Sequence, residues 1–204
     1  MVKAASPSVK AIFILDSDGN RVCAKYYDKS YPTQKEQLAL EKKLYAKTKN
    51  SNARLEADVI LIENIVSVYR CGSDTTMHVV GSASENELIL LTVLDSAFDA
   101  VSNLLKGRMD RHVMLDNIEL VLLTFDEVVD GGIILEVDTP SISNRVLMRV
   151  WAFVLSSSFR CTGTNVDCLL QFTQGIDNEV PMAELTISQA FASAREQFSR
   201  SFRS

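Results

Sequence analysis

The sequence predicts an α+β protein in which a sheet of about five antiparallel strands is packed between helices. Short β-branched segments separated by polar turns occupy much of the first 82 residues, and helical spacing of apolar residues dominates after residue 84. The predicted order of elements is ββαβββααα. Because most strands precede most helices, this order is typical of the α+β class.

Residues 9–28 predict a β-hairpin at the start of the domain. Two strands flank the turn Asp16-Ser17-Asp18-Gly19-Asn20, and Asp, Gly and Asn tolerate the left-handed backbone that a short turn needs. The first strand, VKAIFIL, is nearly all apolar. We therefore expect this strand to lie inside the sheet with both faces covered.

Capping signals predict where the first two helices begin. Thr33 with Glu36 forms a capping box for a helix that ends near Lys49, and Ser84 with Glu87 forms another. Lys106-Gly107 closes the second helix. In the first helix the apolar spacing predicts that Leu38, Leu40, Leu44 and Tyr45 point inward and that Lys35, Glu41, Lys42, Lys43 and Lys47 point outward. In the second helix the predicted inward residues are Leu90, Leu94, Ala97, Phe98, Val101 and Leu105.

Three more helices are predicted further along the chain. Asp116 caps the third helix, which Gly131-Gly132 ends, and Thr139-Pro140 begins a helix that runs to Arg149. Thr186 opens a capping box for a closing helix. The inner stripe of the third helix comprises Ile118, Val121, Leu122, Phe125, Val128 and Val129, and that of the closing helix comprises Ile187, Ala190, Phe191, Ala194 and Phe198.

Composition excludes several classes of protein. The 204 residues carry a net charge of −5 and no basic stripe with interleaved aromatics, which argues against a nucleic-acid partner. The four cysteines show no metal-binding or redox spacing, and no apolar run reaches 18 residues. A reduced, cytosolic, soluble protein is the expectation.

The acidic turn only superficially resembles the start of a calcium loop. An EF-hand would need glycine and glutamate where this chain has Arg21 and Tyr27, so we interpret Asp16-x-Asp18-x-Asn20 as a turn.

Catalytic chemistry is not predicted either. Cys23 and Cys71 are expected to be small buried hydrophobes, with His78 in reach of a cysteine only through the tertiary fold. For His112 the favoured interpretation is a solvated loop, with a partner contact second. We assign no catalytic, cofactor-binding or metal residues and expect no enzyme.

Three segments carry a family resemblance: AIFILDSDGNRVCAKYYD, ENELILLTVLDSAFDAVSNLL and LDNIELVLLTFDEVVDGGIILEVDTPSI. They resemble the zeta subunits of coatomer and, more distantly, the small (sigma) subunits of clathrin adaptors. The resemblance covers residues 9–149, and residues 179–200 are similar to the C-terminal helix of that family.

The resemblance implies a longin-like fold and a non-catalytic role without cofactors. It implies a core subunit of the COPI coat that is held by the large gamma subunit beside the beta and delta subunits. An Arf-family GTPase would bring the coat to Golgi membranes, and the coat would return cargo to the endoplasmic reticulum and move it within the Golgi. Membrane contact would be peripheral, on the cytoplasmic side. No motif licenses transfer of the dileucine-binding site of sigma subunits.

A free-standing longin-type regulator of a small GTPase is the alternative. The Lys-rich face of the first helix could meet an acidic partner or anionic lipid, although a solvated face is favoured. Phe191, Phe198 and Phe202 in the closing helix suit packing against a larger subunit better than membrane insertion.

The predicted organisation has four parts: a flexible tail (1–8), the longin-like domain (9–149), an atypical insert (150–174) and a C-terminal helix with a tail (175–204). The insert carries only Arg160 and Asp167 as charges. Our hypothesis is an in-frame retained intron, since Val150 and Gln174 can be encoded by codons that supply the GT and AG borders. The alternative is a natural helix extension with a loop, or a genuine strand pair. The first residues of the insert should extend the preceding helix, 168–172 could form a strand, and we predict that the insert is poorly ordered and dispensable.

Overall fold

A computed structural model describes residues 9–49 and 56–159, with side chains described as far as Trp151. The chain divides into two compact units, Met1–Val154 and Leu155–Ser204, and every described element except the end of the last helix belongs to the first. In chain order the elements are β1 (Val9–Asp16), β2 (Arg21–Tyr26), α1 (Gln34–Thr48), β3 (Asp58–Ile62), β4 (Ile65–Cys71), β5 (Thr75–Ser82), α2 (Glu87–Leu104), α3 (Arg111–Asp116), α4 (Ile118–Val128), β6 (Val129–Asp130), β7 (Ile133–Ile134) and α5 (Thr139–Phe159).

The five long strands form one antiparallel sheet with the order β2-β1-β5-β4-β3, and β6 and β7 form a separate two-stranded hairpin. The sheet confirms the predicted fold class. β1 lies inside it, between β2 and β5, and its residues from Ala11 to Leu15 are almost completely buried. This burial explains the nearly unbroken apolar run of that strand. Gly19, at φ +81°, supplies the left-handed turn between β1 and β2.

Helices cover both faces of the sheet. On one face, Leu40 and Leu44 of α1 belong to the same buried cluster as Phe13 and Leu15 of β1. On the other face, α2 packs against β4, β5 and α4. Gly81 permits this contact, because a Cβ atom there would lie 2.7 Å from Leu90. The predicted inward stripe of α2 is confirmed, with all six of its residues buried.

Two predictions about α1 are wrong. The sequence places Glu41 outward, but its side chain is buried because it forms an ion pair with Arg21 of β2. Leu38, predicted inward, is 36% exposed. The capping box of Thr33 and Glu36 is confirmed. Helical spacing alone cannot show that a charged residue has a buried partner on another element.

Three predicted caps lie one to two residues from the observed ones. α2 is capped by the Asn86 side chain, which accepts from Leu88 N–H, and not by Ser84. α4 follows Asn117 because a short extra helix, α3, ends at Asp116. Asp138, and not Thr139, caps α5 by accepting from Ser141 N–H at 3.0 Å.

In the predicted inner stripe of the third helix, Ile118 and Leu122 are half-buried rather than buried, because α4 instead buries Leu120 and Thr124.

α5 continues past Arg149 to Phe159, which confirms the predicted extension of that helix into the insert. Ile142 and Val146 bury its inner side. Arg145 and Arg149 hold it to the buried carboxylate of Glu127 on α4. The N-terminal tail, the possible strand at 168–172 and the closing helix lie outside the described residues. No helix in the described ranges combines the length and apolar character needed to cross a membrane.

Candidate partner-binding surfaces

The acidic turn after β1 is closed by its own side chains. One carboxylate oxygen of Asp16 accepts from the N–H groups of Asp18 at 2.9 Å and Asn20 at 2.7 Å. The other accepts from the Asn20 amide at 3.2 Å and lies 3.4 Å from Nε of Arg111. Burial would raise the pKa of Asp16, but these hydrogen bonds and the Arg111 charge outweigh burial and lower it. The Asp16 carboxylate therefore stabilises the turn between β1 and β2.

Cys23 and His78 lie on opposite faces of the sheet. Cys23 pairs with Ile14, whereas His78 pairs with Phe13, and successive residues of a strand point to opposite faces. Burial raises the pKa of the Cys23 thiol to about 12, so the thiol stays protonated at neutral pH. These two residues therefore form no thiol–imidazole pair.

Cys71 and His112 also lack catalytic surroundings. Cys71 is partly exposed, and its Sγ accepts from the Thr76 hydroxyl at 3.7 Å. His112 is exposed, as predicted, but it lies in α3 and not in a loop, because the Asp74 carboxylate accepts from Arg111 N–H and starts that helix. In the described part of the chain, no group of three or more His, Cys, Asp and Glu side chains could hold a metal ion.

His78 belongs to a ring stack that crosses the sheet. Its ring centroid lies 5.0 Å from that of Phe13 and 5.4 Å from that of Tyr69, and Phe13 stacks in turn on Tyr26. The Nδ1 atom of His78 lies 3.2 Å from the Ser67 hydroxyl. Complete burial lowers the pKa of His78 to about 3, so the imidazole is neutral at physiological pH.

Both ends of this ring stack carry a hydroxyl–carboxylate bond. The Tyr69 hydroxyl donates to Asp58 of β3 at 2.8 Å, and the Tyr26 hydroxyl donates to Glu41 of α1 at 2.9 Å. Arg21 adds an ion pair to Glu41 at 2.6 Å. Burial and the adjacent Glu41 carboxylate raise the pKa of Tyr26, so this hydroxyl remains a donor. These polar groups connect the strands of the sheet to one another and to α1.

The lysines of α1 form a solvated face. Lys43 pairs with Glu63 at 3.2 Å, and both side chains are exposed. Because Glu41 turns inward, this face is more positive than the sequence suggests. The exposed lysines beside Lys43 are Lys35, Lys42, Lys47 and Lys49.

Four exposed apolar residues lie on the β6–β7 hairpin, in the segment after it and on α5, and we call Ile133, Leu135, Val137 and Met148 the hairpin surface. Ile133 and Leu135 are 54% and 55% exposed, and the other two are similarly open. The backbone that carries them is held in place, since Leu135 N–H donates to Val128 C=O and Val137 C=O accepts from the Ser96 hydroxyl. A rigid cluster of exposed apolar side chains is typical of a protein-binding site.

A second apolar surface lies where β3 borders α2, and we call Val59, Leu61, Leu88 and Leu91 the edge surface. Leu61 and Leu88 are 62% and 68% exposed. β3 pairs with β4 on one side, and no described strand pairs with its other side.

The sequence interpretation assigned neither surface. Only a weak signal for the hairpin surface was present, because Glu136 separates Leu135 from Val137 but Ile134 interrupts the alternation of apolar and polar residues. The run DVILI of β3 gives no such signal, since it reads as a buried strand until its position at the sheet edge is known.

Comparison with known proteins shows that this fold is that of a small adaptor-type subunit. Residues 8–151 match the family model of the clathrin adaptor complex small chain. A structure titled "Homology model of the full-length AP-3 complex in a stretched open conformation" contains a similar chain, with a TM-score of 0.59 and 15% identity. The match covers 74% of this chain and 98% of that one, and it shows the longin-like fold alone.

Relatives of known name show to which branch of this family the chain belongs. Coatomer subunit zeta-1 of Arabidopsis thaliana is 41% identical, and the match covers 96% of each chain. Coatomer subunit zeta-1 of Homo sapiens is 38% identical, over 93% of this chain and 90% of that one. The chain therefore belongs to the coatomer zeta branch of the clathrin adaptor small-chain family, which confirms the resemblance found in the sequence.

Proposed function

We propose that this chain is a small subunit of a COPI-type vesicle coat and that the large gamma subunit binds it directly. The observation that carries the proposal is the 41% identity, over nearly the whole of both chains, to a protein named coatomer subunit zeta-1. The family model over residues 8–151 supports the broader class, a small subunit of an adaptor-type coat. The beta and delta subunits would belong to the same core.

The proposed role is mechanical and non-catalytic. The Asp16 carboxylate accepts hydrogen bonds within its own turn, the Cys23 thiol is buried and protonated, and the His78 ring is a neutral member of the ring stack. A preformed sheet with helices on both faces is a rigid body that can fill and stiffen the concave side of a large partner. We propose no bond-making step and no cofactor for it.

We place the gamma subunit on the hairpin surface. Glu136 turns inward and pairs with Arg145 at 3.0 Å, which leaves Ile133, Leu135 and Val137 on the outer side of the same extended segment. Met148 of α5 adds an exposed thioether of adaptable shape. Because hydrogen bonds already hold this segment, little conformational entropy remains to be lost on binding.

The coat would connect the chain to membranes indirectly. An Arf-family GTPase would recruit the whole coat to the cytoplasmic face of the Golgi, where this subunit would be peripheral. The proposed transport steps are retrograde traffic from the Golgi to the endoplasmic reticulum and traffic within the Golgi. Membership in the zeta branch supports these proposals.

Co-purification with the gamma subunit tests the proposal. We expect the two chains, expressed together, to elute from size exclusion as one complex. A stable monomer that ignores gamma would overturn the proposal. Nucleotide exchange on Arf- and Rab-type GTPases, measured with the same monomer, would then show whether it is a free-standing longin-type regulator.

A further inference from the structure

The two edges of the five-stranded sheet are unlike each other. β3 has three exposed residues out of five, and no described strand pairs with its outer side. β2, at the opposite edge, has no exposed residue and contacts α3 and α4. An uncovered edge presents free backbone N–H and C=O groups, which sheets ordinarily cover or guard. The open edge of β3 is therefore a feature to be explained.

The exposed apolar side chains of β3 point to the α2 face of the sheet. Leu61 pairs with Val66, Val66 pairs with Gly81, and Leu90 of α2 lies against Gly81. Side chains that are directly opposite in a sheet share a face, so Leu61 is on the side that carries α2. Val59 shares that face because it is two residues away. α2 packs on β4 and β5 and leaves these two side chains open.

One flank of α2 belongs to the edge surface. Arg70 of β4 contacts Asp95 at 3.3 Å and Asp99 at 3.2 Å, which orients that flank of α2 toward the β4 and β3 side. Leu88 and Leu91 precede Asp95 by seven and four residues and therefore lie on the same flank. The edge surface thus has apolar side chains of a strand on one side and of a helix on the other.

The border of the edge surface is acidic. α2 contains Glu87, Asp95 and Asp99 and no basic residue. Further carboxylates flank β3 and the approach to α2, at Glu56, Glu63 and Glu85, and of these Glu63 pairs with the exposed Lys43. Arg70 already pairs with Asp95 and Asp99. A ligand of the edge surface should therefore carry positive charge beside its apolar residues.

We propose that the edge surface binds an extended segment of the large coat partner, added as a strand to the open edge of β3. The segment would have apolar residues at alternate positions to cover Val59 and Leu61, with lysine or arginine beside them. Strand addition would pair the outward backbone groups of β3, of which the Val59 N–H already donates to the Asp58 carboxylate at 2.8 Å. Side-chain pockets supply the specificity. This inference rests on the proposed function, because the segment belongs to the gamma subunit.

The acidic border disfavours two other occupants. A second copy of this chain, paired antiparallel through β3, would bring Glu56 and Glu63 of the two copies together, and like charges across a strand pair are destabilising. An anionic membrane would be repelled for the same reason.

Amide hydrogen exchange on the complex tests the proposal. The chain is measured free and bound to gamma, at the peptide that covers β3. We expect the β3 amides that point away from β4 to exchange at least about tenfold more slowly in the complex. Leu61→Lys should weaken gamma binding about tenfold or more by placing a charge against a basic segment. Leu115→Lys, at an exposed apolar position on α3, is the matched control and should bind as the wild type does.

Each outcome has a distinct meaning. If the complex forms but β3 gains no protection and Leu61→Lys binds normally, the edge inference is overturned and the proposed function stands. If no complex forms, both are overturned. Protection of β3 that rises with the concentration of the free chain would identify a second copy as the occupant. Protection by phosphatidylserine vesicles without gamma would identify a membrane. Either of the last two results overturns the inference.

Discussion

The closed and open edges of the sheet are built from different interactions. At the closed edge, Lys25 of β2 pairs with Asp126 of α4, and Arg21 pairs with the buried Glu41 of α1. Both helices therefore hold β2 from outside the sheet. At the open edge, Glu63 pairs with Lys43 through two exposed side chains, and Leu61 faces solvent. The closed edge uses its side chains for stability, and the open edge leaves them available to a partner.

This difference gives each edge its own expected response to mutation. Changes at the closed edge should lower the free energy of unfolding, because they leave buried groups without partners. Changes at the open edge should leave folding almost untouched and alter binding instead. A sheet with two equivalent edges would respond alike on both sides.

The largest effect is expected at Glu41. Glu41→Gln removes the charge that Arg21 and the Tyr26 hydroxyl share, and loss of one partner of a buried ion pair costs about 3 kcal/mol of unfolding free energy. Glu63→Gln at the open edge is the matched control and should cost less than about 0.5 kcal/mol, because its ion pair is exposed. Urea denaturation of both variants measures the difference. Equal costs would contradict the account.

A pH titration probes the ring stack that links the two edges. The unfolded chain protonates His78 near pH 6.5, whereas the folded chain resists protonation until about pH 3. The unfolded state therefore binds more protons between these values, and stability falls with falling pH by up to about 1.4 kcal/mol per pH unit. The window from pH 7 to pH 5 spans the onset of His78 protonation in the unfolded chain.

His78→Phe should flatten that slope, because phenylalanine keeps the stacking and binds no proton. His112→Gln, at an exposed position, should retain it. Thermal or urea unfolding at several pH values measures both slopes. An unchanged slope in His78→Phe would show that another group carries the dependence.

Substitution by serine compares the two edge strands directly. Cys23→Ser buries a hydroxyl among apolar groups in β2 and should cost about 2 kcal/mol of unfolding free energy. Leu61→Ser replaces a side chain in β3 that is already exposed, so it should change the free energy of unfolding by less than about 0.5 kcal/mol. Chemical denaturation of each variant gives the two values. If Leu61→Ser lost more unfolding free energy than Cys23→Ser, the Leu61 side chain would contribute to the stability of the fold.

The smallest effect is expected from deletion of residues 150–174. Within the described side chains, the contacts that hold α5 precede the insert, and they are Ile142, Val146 and the ion pairs of Arg145 and Arg149 with Glu127. We expect the shortened chain to unfold within about 1 kcal/mol of the full chain and to assemble with gamma. Failure to assemble would contradict both the dispensability of the insert and its proposed origin as a retained intron. Genomic sequence without GT at the Val150 codon, or without AG closing the Gln174 codon, would also contradict that origin.

The sequence predicted the five antiparallel strands and the stripe of α2 because those features depend on local periodicity. It failed at Glu41, whose burial depends on Arg21 from another element 20 residues away. It also missed both apolar surfaces. Leu61 and Ile133 look like core residues in the sequence, and only the sheet order and the position of the β6–β7 hairpin show that they are exposed.

Gamma-subunit binding by a variant of the hairpin surface tests the central claim most directly. The double variant Ile133→Asp/Leu135→Asp places two charges in the proposed contact, and calorimetric titration against purified gamma should show an affinity at least about 100-fold weaker than that of the wild type. The control Leu115→Asp should bind within about twofold of the wild type, since single changes outside a contact cost little. A double variant that stays folded and binds gamma like the wild type would contradict the claim.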